Sequence, residues 1–178
     1  GRRMEPIVRE LFTEQTGIRT RRQGLHQSRT DGELLASVDA LAEDGGGGEW
    51  KTTTSWTQRK DPEREDRCPP LFAWQAKHYL LVTGRSHWWV CCLVVDTWTP
   101  YVWLVERDDD ELELLRTVET EFWRTHVAGN IEPEFDLDHY TTQEVRDRWP
   151  SVTGDTLSLT SDSELGSKVR NALREKRE

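Results

Sequence analysis

A run of four glycines at 45–48 separates two segments of strand-like composition, and this spacing constrains how the first third of the chain can fold. Residues 33–42 before the run are mainly aliphatic, and residues 49–54 after it contain one Trp and three Thr. Both compositions favour β-strands. Acidic residues and glycines in between favour a chain reversal, so residues 43–48 are predicted to be a turn. The sequence therefore predicts a β-hairpin.

Two carboxylates and a lysine fall on this predicted hairpin. Asp39 lies in the first strand, and Glu49 and Lys51 share one face of the second because alternate residues of a strand point the same way. The Trp50 indole then points to the other face, which leaves its backbone carbonyl available to the site. These oxygens suit Mg²⁺, with Mn²⁺ as a substitute, and a lysine beside such a metal can position water and offset charge on a phosphate. The pattern predicts phosphodiester hydrolysis, although the same spacing also arises from ordinary surface charge in a chain with 33 acidic residues.

Other residues near the hairpin are candidate DNA contacts. Ser37 is two residues from Asp39, so a regular strand would place its hydroxyl beside the metal. Arg21 and Arg22 belong to a basic cluster of the kind that neutralises phosphates. Trp56 follows the second strand in a polar segment and is placed to stack on a base or to wedge a duplex end. The alternative for each residue is an ordinary surface or core position.

Composition restricts the class of protein. A chain of 178 residues with a formal net charge of −9 is not a general nucleic-acid coat, because such proteins depend on an excess of Lys and Arg. No apolar run reaches the roughly 18–20 residues that span a bilayer, and no signal-like segment opens the chain, so we expect a cytoplasmic protein. Cys91 and Cys92 are adjacent in a predicted strand and are expected to be core residues on opposite faces.

The remaining pattern predicts the element order α, β-hairpin, loop, α, β, β, α. Alternating helical and strand-like segments of this kind favour an α/β domain. Nine tryptophans are present, and most of those near the later strands or at the start of the last helical region are expected to pack in the core, because each buries a large area. These are Trp88, Trp89, Trp98, Trp103 and Trp123.

Five segments occur in an order that resembles a known family. They are an early helix with Glu5 before an apolar stripe, the Asp39 segment, the Glu49-Trp50-Lys51 segment, a helix over 72–84 with Gln75, and a strand and helix between 105 and 124. In this order and spacing, the chain resembles the lambda-exonuclease-type (YqaJ-like) phage recombination nucleases of the PD-(D/E)xK superfamily. The resemblance extends nearly from end to end.

The resemblance implies a restriction-endonuclease-like core with a central mixed β-sheet flanked by helices. We expect this nuclease core to occupy residues 1–136 and an extended connector with a C-terminal helix to occupy 137–178. The resemblance further implies that Glu5 and Gln75 complete the catalytic site of Asp39, Glu49 and Lys51, with Gln75 binding the water or the scissile phosphate.

The activity implied by the resemblance is Mg²⁺-dependent 5′→3′ exonuclease cleavage at double-stranded DNA ends. Such an enzyme generates 3′ single-stranded tails for an annealing protein during phage recombination. The resemblance also implies a phage- or prophage-encoded protein that acts in the bacterial host cell as a homo-oligomer, a ring-shaped trimer.

The chain departs from the family in two respects. Ala40 follows the motif aspartate where family members usually have glycine. Family members also carry a helical module before the Glu5 helix, whereas this sequence opens inside that helix; either the sequence is a fragment or the protein handles DNA ends differently. Two alternatives stay open at this point: an endonuclease of the same fold, and a non-catalytic module that binds DNA ends or supports assembly.

Overall fold

The computed structural model of the chain describes residues 3–54 and 67–133. Trp56 and the predicted connector and C-terminal helix at 137–178 lie outside the described residues. The described elements are α1 (Glu5–Thr16), β1 (Thr20–Arg22), β2 (Leu25–Gln27), β3 (Leu35–Ser37), β4 (Ala40–Ala42), β5 (Gly47–Thr53), α2 (Pro70–Thr83), β6 (His87–Val94), β7 (Thr99–Glu106) and α3 (Asp109–Phe122), which continues into a π-helical turn at Trp123–Ala128.

A five-stranded sheet in the order β1-β4-β5-β6-β7 forms the centre of the described fold. Strands β5 and β6 are parallel, and the other neighbouring pairs are antiparallel. A parallel pair needs a long crossover, and α2 lies in the connection between β5 and β6. The predicted mixed sheet flanked by helices is therefore confirmed. Strands β2 and β3 form a separate two-stranded ribbon.

The sheet is covered on both faces, which explains the nearly continuous apolar sequence of β6. Trp88, Val90 and Cys92 belong to the core cluster that includes the apolar residues of α2. Cys91 and Leu93 point the other way and pack with the buried residues of α1. The prediction that the two adjacent cysteines are buried on opposite faces is confirmed. No helix among the described residues combines the length and hydropathy needed to cross a bilayer.

The predicted first strand of the hairpin is broken, and Asp39 lies at the break. Residues 35–37 and 40–42 form β3 and β4, which belong to different sheets. Backbone hydrogen bonds from Gln23 to the Asp39 carbonyl and from Val38 to the Gly24 carbonyl, both 3.0 Å, carry the pairing around the bend. The partners, β1 and β2, are three residues each and were not predicted, because segments so short and polar show no clear alternation.

The glycine run is only partly a turn. Gly45 has a φ of 95° and reverses the chain, whereas Gly47 is already part of β5. A Cβ on Gly47 would overlap the indole of Trp88, and a Cβ on Gly48 would lie 2.6 Å from an indole carbon of Trp50. The prediction that residues 43–48 are all turn is wrong because two of the glycines are strand residues that make room for indole rings.

The tryptophans divide between the core and the surface. Trp88 and Trp103 are buried, as predicted. Trp98 is 54% exposed and has a φ of 56° in the connection between β6 and β7, so the prediction of a core position for it is wrong. Its place after the end of β6 removes it from both packed faces of the sheet.

Candidate active site

Asp39 is tied to the backbone of β5. Its Oδ2 accepts a 2.9 Å hydrogen bond from the N–H of Trp50, and the residue directly precedes β4, the antiparallel neighbour of β5. The β4–β5 pairing stops at Gly48, so the Asp39 carboxylate replaces the next backbone partner of the strand. The broken strand thus delivers a carboxylate to the middle of the Glu49-Trp50-Lys51 segment.

Side-chain alternation along β5 separates its polar from its apolar residues. The Trp50 ring packs against Phe12 of α1, with ring centroids 5.2 Å apart. Glu49 and Lys51 lie on the opposite face and form a salt bridge with an N–O distance of 2.6 Å. The expected orientation of the three side chains therefore occurs in the structure.

Gln75 of α2 links both charged residues of β5. Its Oε1 accepts a 2.7 Å hydrogen bond from Lys51 Nζ, and its Nε2 donates to Glu49 Oε1 at 3.1 Å. Nε2 also lies 2.5 Å from the hydroxyl of Tyr79, one helical turn further along α2. Because an ammonium only donates and a carboxylate only accepts, these partners fix the orientation of the Gln75 amide.

Burial dominates the electrostatics of Glu49, whose residue surface is only 4% exposed. Burial raises the pKa of Glu49 to about 7; the hydrogen bond from Lys51 lowers this pKa, and the charge of nearby Asp39 raises it. The second carboxylate oxygen, Oε2, is buried and has no hydrogen-bond partner among the described residues. A buried carboxylate oxygen without a partner is costly unless another group binds it.

Tyr79 and His78 have different surroundings although both follow Gln75 by about one turn. Burial, with the charge of Glu49, raises the pKa of Tyr79 and keeps its hydroxyl protonated beside Gln75. His78 instead pairs with Glu119 of α3 at 2.8 Å and contacts the Leu35 carbonyl at 3.0 Å. Helical spacing allows Gln75, His78 and Tyr79 to share one face of α2. Only Tyr79 contacts Gln75, because His78 is turned toward Glu119.

A pocket of about 180 Å³ opens beside Asp39. It brings together four of the residues predicted from the sequence, which are Glu5, Arg22, Asp39 and Trp50. It also contains Arg9, which was not predicted from the sequence. The available signal was its position four residues after Glu5, on the same face of α1.

Arg21 and Ser37 are not among the described residues that line this pocket. Arg21 lines a different pocket, with Leu41 and Glu43, as expected for consecutive residues of a strand. Ser37 is exposed on β3, and the strand breaks before Asp39. The premise of one regular strand through Ser37 and Asp39 is therefore wrong, and the contact of Ser37 with phosphate stays a prediction.

The oxygen atoms near Asp39 fit a hard divalent cation. Glu49 Oε2 has no partner in the described part of the chain, and Asp39 uses Oδ2 for the Trp50 N–H. In an extended strand the N–H and C=O of one residue point to the same side, so the Trp50 carbonyl lies on the Asp39 side. No cluster of three or more His, Cys, Asp or Glu residues that could hold a metal occurs within 3–54 and 67–133. Two carboxylates and a carbonyl still suffice for Mg²⁺, which keeps several waters and also binds substrate phosphates.

Comparisons with known proteins match part of the chain to one family. Residues 1–86, from α1 to the end of α2, match the family described as YqaJ-like viral recombinase domain. The uncharacterized protein YqaJ of Bacillus subtilis (strain 168) is 28% identical over 139 residues, which are 76% of this chain and 43% of that protein. The chain thus spans less than half the length of that curated relative.

Two similar crystal structures share the fold. An alkaline exonuclease, LHK-Exo, from Laribacter hongkongensis superposes with a TM-score of 0.56 and 24% sequence identity, covering 74% of each chain. LHK-Exo in complex with dAMP gives the same TM-score and identity, covering 73% of this chain and 72% of that chain. Together with the matched family, this fold confirms the resemblance that was predicted from the sequence.

Proposed function

We propose that this chain, whose residues 1–86 carry the YqaJ-like viral recombinase domain, is a metal-dependent deoxyribonuclease. The observation that carries the proposal is the hydrogen-bonded group of Glu49, Lys51 and Gln75 beside Asp39. Two carboxylates, a lysine and an amide converge there from three separate segments of the chain. A surface charge pair with no function would not require a buried glutamate with an oxygen that no described residue satisfies.

In phosphodiester hydrolysis a water attacks phosphorus, the bond to the leaving oxygen breaks, and negative charge grows on the phosphate oxygens. Lys51 supplies a fixed positive charge for that stage, because its ammonium is held by Glu49 and Gln75 and remains partly accessible. Gln75 positions Lys51, and the remaining lone pair of its Oε1 can accept a hydrogen bond from the attacking water. The Tyr79 hydroxyl, which stays protonated, accepts a hydrogen bond from Gln75 Nε2 and so helps to hold the amide in place.

Asp39 and Glu49 are the residues that would hold Mg²⁺ or Mn²⁺, together with the carbonyl of Trp50. When bound, such an ion supplies Lewis-acid activation of water and stabilises charge on the phosphate. Glu5 faces the same pocket as Asp39 and would bind the water shell of the ion or the water that attacks phosphorus.

We further propose that the substrate is an end of double-stranded DNA and that cleavage proceeds 5′→3′, leaving 3′ single-stranded tails for an annealing protein. The support is the name of the matched domain, a viral recombinase domain, and the name of the similar structure, an alkaline exonuclease. Action in the cytoplasm of a bacterial host and assembly as a homo-oligomer, a trimer, belong to the same proposal. Light scattering of the purified protein tests the oligomer.

Digestion of matched linear and covalently closed circular duplexes tests the proposed activity. With Mg²⁺ present, we expect the linear DNA to lose nucleotides from its 5′ ends and the closed circle to stay intact. Cleavage of the closed circle, which has no ends, would show that the chain is an endonuclease of the same fold and not an exonuclease. If both DNAs stay intact although the protein binds linear ends, the chain is a DNA-end-binding module instead of a nuclease.

A further inference from the structure

Two arginines from different elements line the pocket beside Asp39. Arg9 projects from α1, and Arg22 is the last residue of β1. The pocket also contains the carboxylates of Glu5 and Asp39, so both signs of charge line one small cavity. The pocket therefore brings together side chains of α1 and β1, which follow one another in the chain and are connected by the loop after α1.

Neither guanidinium is paired within the described part of the chain. Among residues 3–54 and 67–133, Arg9 and Arg22 form no side-chain hydrogen bond or salt bridge, although Glu5 lies one helical turn before Arg9. Other arginines of the described chain do form such pairs: Arg107 bonds Asp109 and Arg116 bonds Asp31. Within residues 3–54 and 67–133, no partner therefore competes with a ligand for these two guanidinium groups.

The ligand that fits these groups best is a phosphate. A guanidinium presents its N–H donors as a planar fork that matches two phosphate oxygens, and such charge-assisted hydrogen bonds are strong. The volume of about 180 Å³ admits a phosphate group with several waters, given about 30 Å³ for one water. The neighbouring carboxylates would repel that anion, so the arginines are needed to offset their charge.

We propose that Arg9 and Arg22 clamp the non-bridging oxygens of one phosphate of the bound DNA strand, next to Asp39. This inference rests on the proposed function, adds Arg9 as a residue that contacts substrate, and assigns Arg22 to the same phosphate. It separates Arg22 from Arg21, which lies on the other side of β1 and lines a different pocket. The phosphate belongs either to an internal phosphodiester or to the 5′ terminus, and the experiment distinguishes these sources.

The test compares Arg9→Gln and Arg22→Gln with Arg21→Gln, a matched control that removes the same charge from the neighbouring residue. Binding to a fluorescent blunt duplex is measured by anisotropy in EDTA at several salt concentrations. Each clamp variant should weaken binding by roughly tenfold or more and reduce the slope of log K against log salt by about 0.9. Arg21→Gln should change both quantities much less.

Duplexes that differ only at their 5′ ends identify which phosphate the two arginines hold. The same variants are titrated with 5′-phosphorylated and 5′-hydroxyl duplexes of one sequence. Loss of affinity on both duplexes assigns the clamp to an internal phosphodiester, and loss confined to the 5′-phosphorylated duplex assigns it to the terminal phosphate. Arg9→Lys should keep the salt slope but recover only part of the affinity, because an ammonium lacks the planar fork.

Two results would overturn the clamp. One is an unchanged salt slope in both Arg9→Gln and Arg22→Gln, and the other is an equal loss in Arg21→Gln, which would indicate general surface charge. If the parent protein degrades DNA, either result would contradict only the clamp, and the proposed nuclease activity would still hold. Conversely, a parent that binds DNA through the two arginines and never cleaves it in Mg²⁺ would overturn the nuclease alone.

Discussion

Lys51 and Gln75 are joined by a 2.7 Å hydrogen bond from the lysine ammonium to Oε1 of the amide. The bond connects β5 to α2 and leaves Nε2 of Gln75 facing Glu49. The position of Lys51 is thus set by two partners, a carboxylate and an amide. This explains how a flexible side chain can hold a fixed place beside the proposed scissile phosphate.

Lys51→Ala should abolish most of the cleavage while DNA binding is largely retained. The lysine acts on the charge that develops during the reaction, so kcat should fall by about 10²–10³ or more. Single-turnover digestion and binding in EDTA measure the two effects separately. Lys77→Ala is the control, because Lys77 lies on α2 and pairs with Glu111 away from this group. Equal losses of DNA affinity and of rate in Lys51→Ala would contradict the assigned role.

Asp39→Asn and Asp39→Ala should differ in stability but not in metal binding. Both remove the charge, so calorimetric Mn²⁺ binding should be lost in each. The Asp39→Asn side chain keeps an oxygen that can accept the Trp50 N–H, whereas Ala leaves that donor unpaired at a cost of about 1–3 kcal/mol in the free energy of unfolding. An Asp39→Asn protein that binds Mn²⁺ as the parent does would show that Asp39 is not a ligand.

The elements that could be predicted from the sequence were those with a long and consistent pattern. The helix with Gln75 was expected from the family resemblance, and the strand that contains Cys91 and Cys92 was predicted from its apolar run; the structure has both, over fourteen and eight residues. The Glu49–Lys51 orientation followed from alternation along β5, a regular strand. Arg9 was not found because no local pattern shows that one turn of α1 borders a pocket.

The break at Asp39 could not be predicted for a related reason. Residues 33–42 have a uniform strand-like composition, and only the partners of β3 and β4 reveal that they belong to different sheets. Long-range pairing of short strands depends on contacts that no local window contains. The argument that placed Ser37 beside Asp39 depended on that regular strand, so its contact with phosphate stays a prediction that the fold neither supports nor contradicts.

Gly47→Ala should destabilise the protein although alanine favours a strand no less than glycine does. The new methyl group would overlap the buried Trp88 indole, and overpacking of this kind costs about 1–3 kcal/mol. Urea unfolding monitored by tryptophan fluorescence measures the change. Gly24→Ala is the matched control, since no described atom lies within 4 Å of its added Cβ and its φ is not positive. Equal stability of the two variants would show that the indole does not restrict Gly47.

The last prediction concerns the pair between α2 and α3, His78 and Glu119. The hydrogen bond to Glu119 raises the pKa of His78 above 6.5; burial opposes the shift, and the Leu35 carbonyl supports it. A folded pKa above the unfolded one means that the protonated His78 stabilises the fold. This contribution is fully present below the unfolded pKa and is lost as pH rises through the folded pKa.

Glu119→Gln should therefore lower the free energy of unfolding most below the unfolded pKa of the imidazole, and progressively less as pH rises through the raised folded pKa of His78. Urea unfolding of parent and variant across this range measures the difference. Glu121→Gln, which removes an exposed carboxylate from the same helix, should give a difference that changes little with pH. A pH-independent difference for Glu119→Gln would mean that the carboxylate holds α3 against α2 without stabilising a protonated His78.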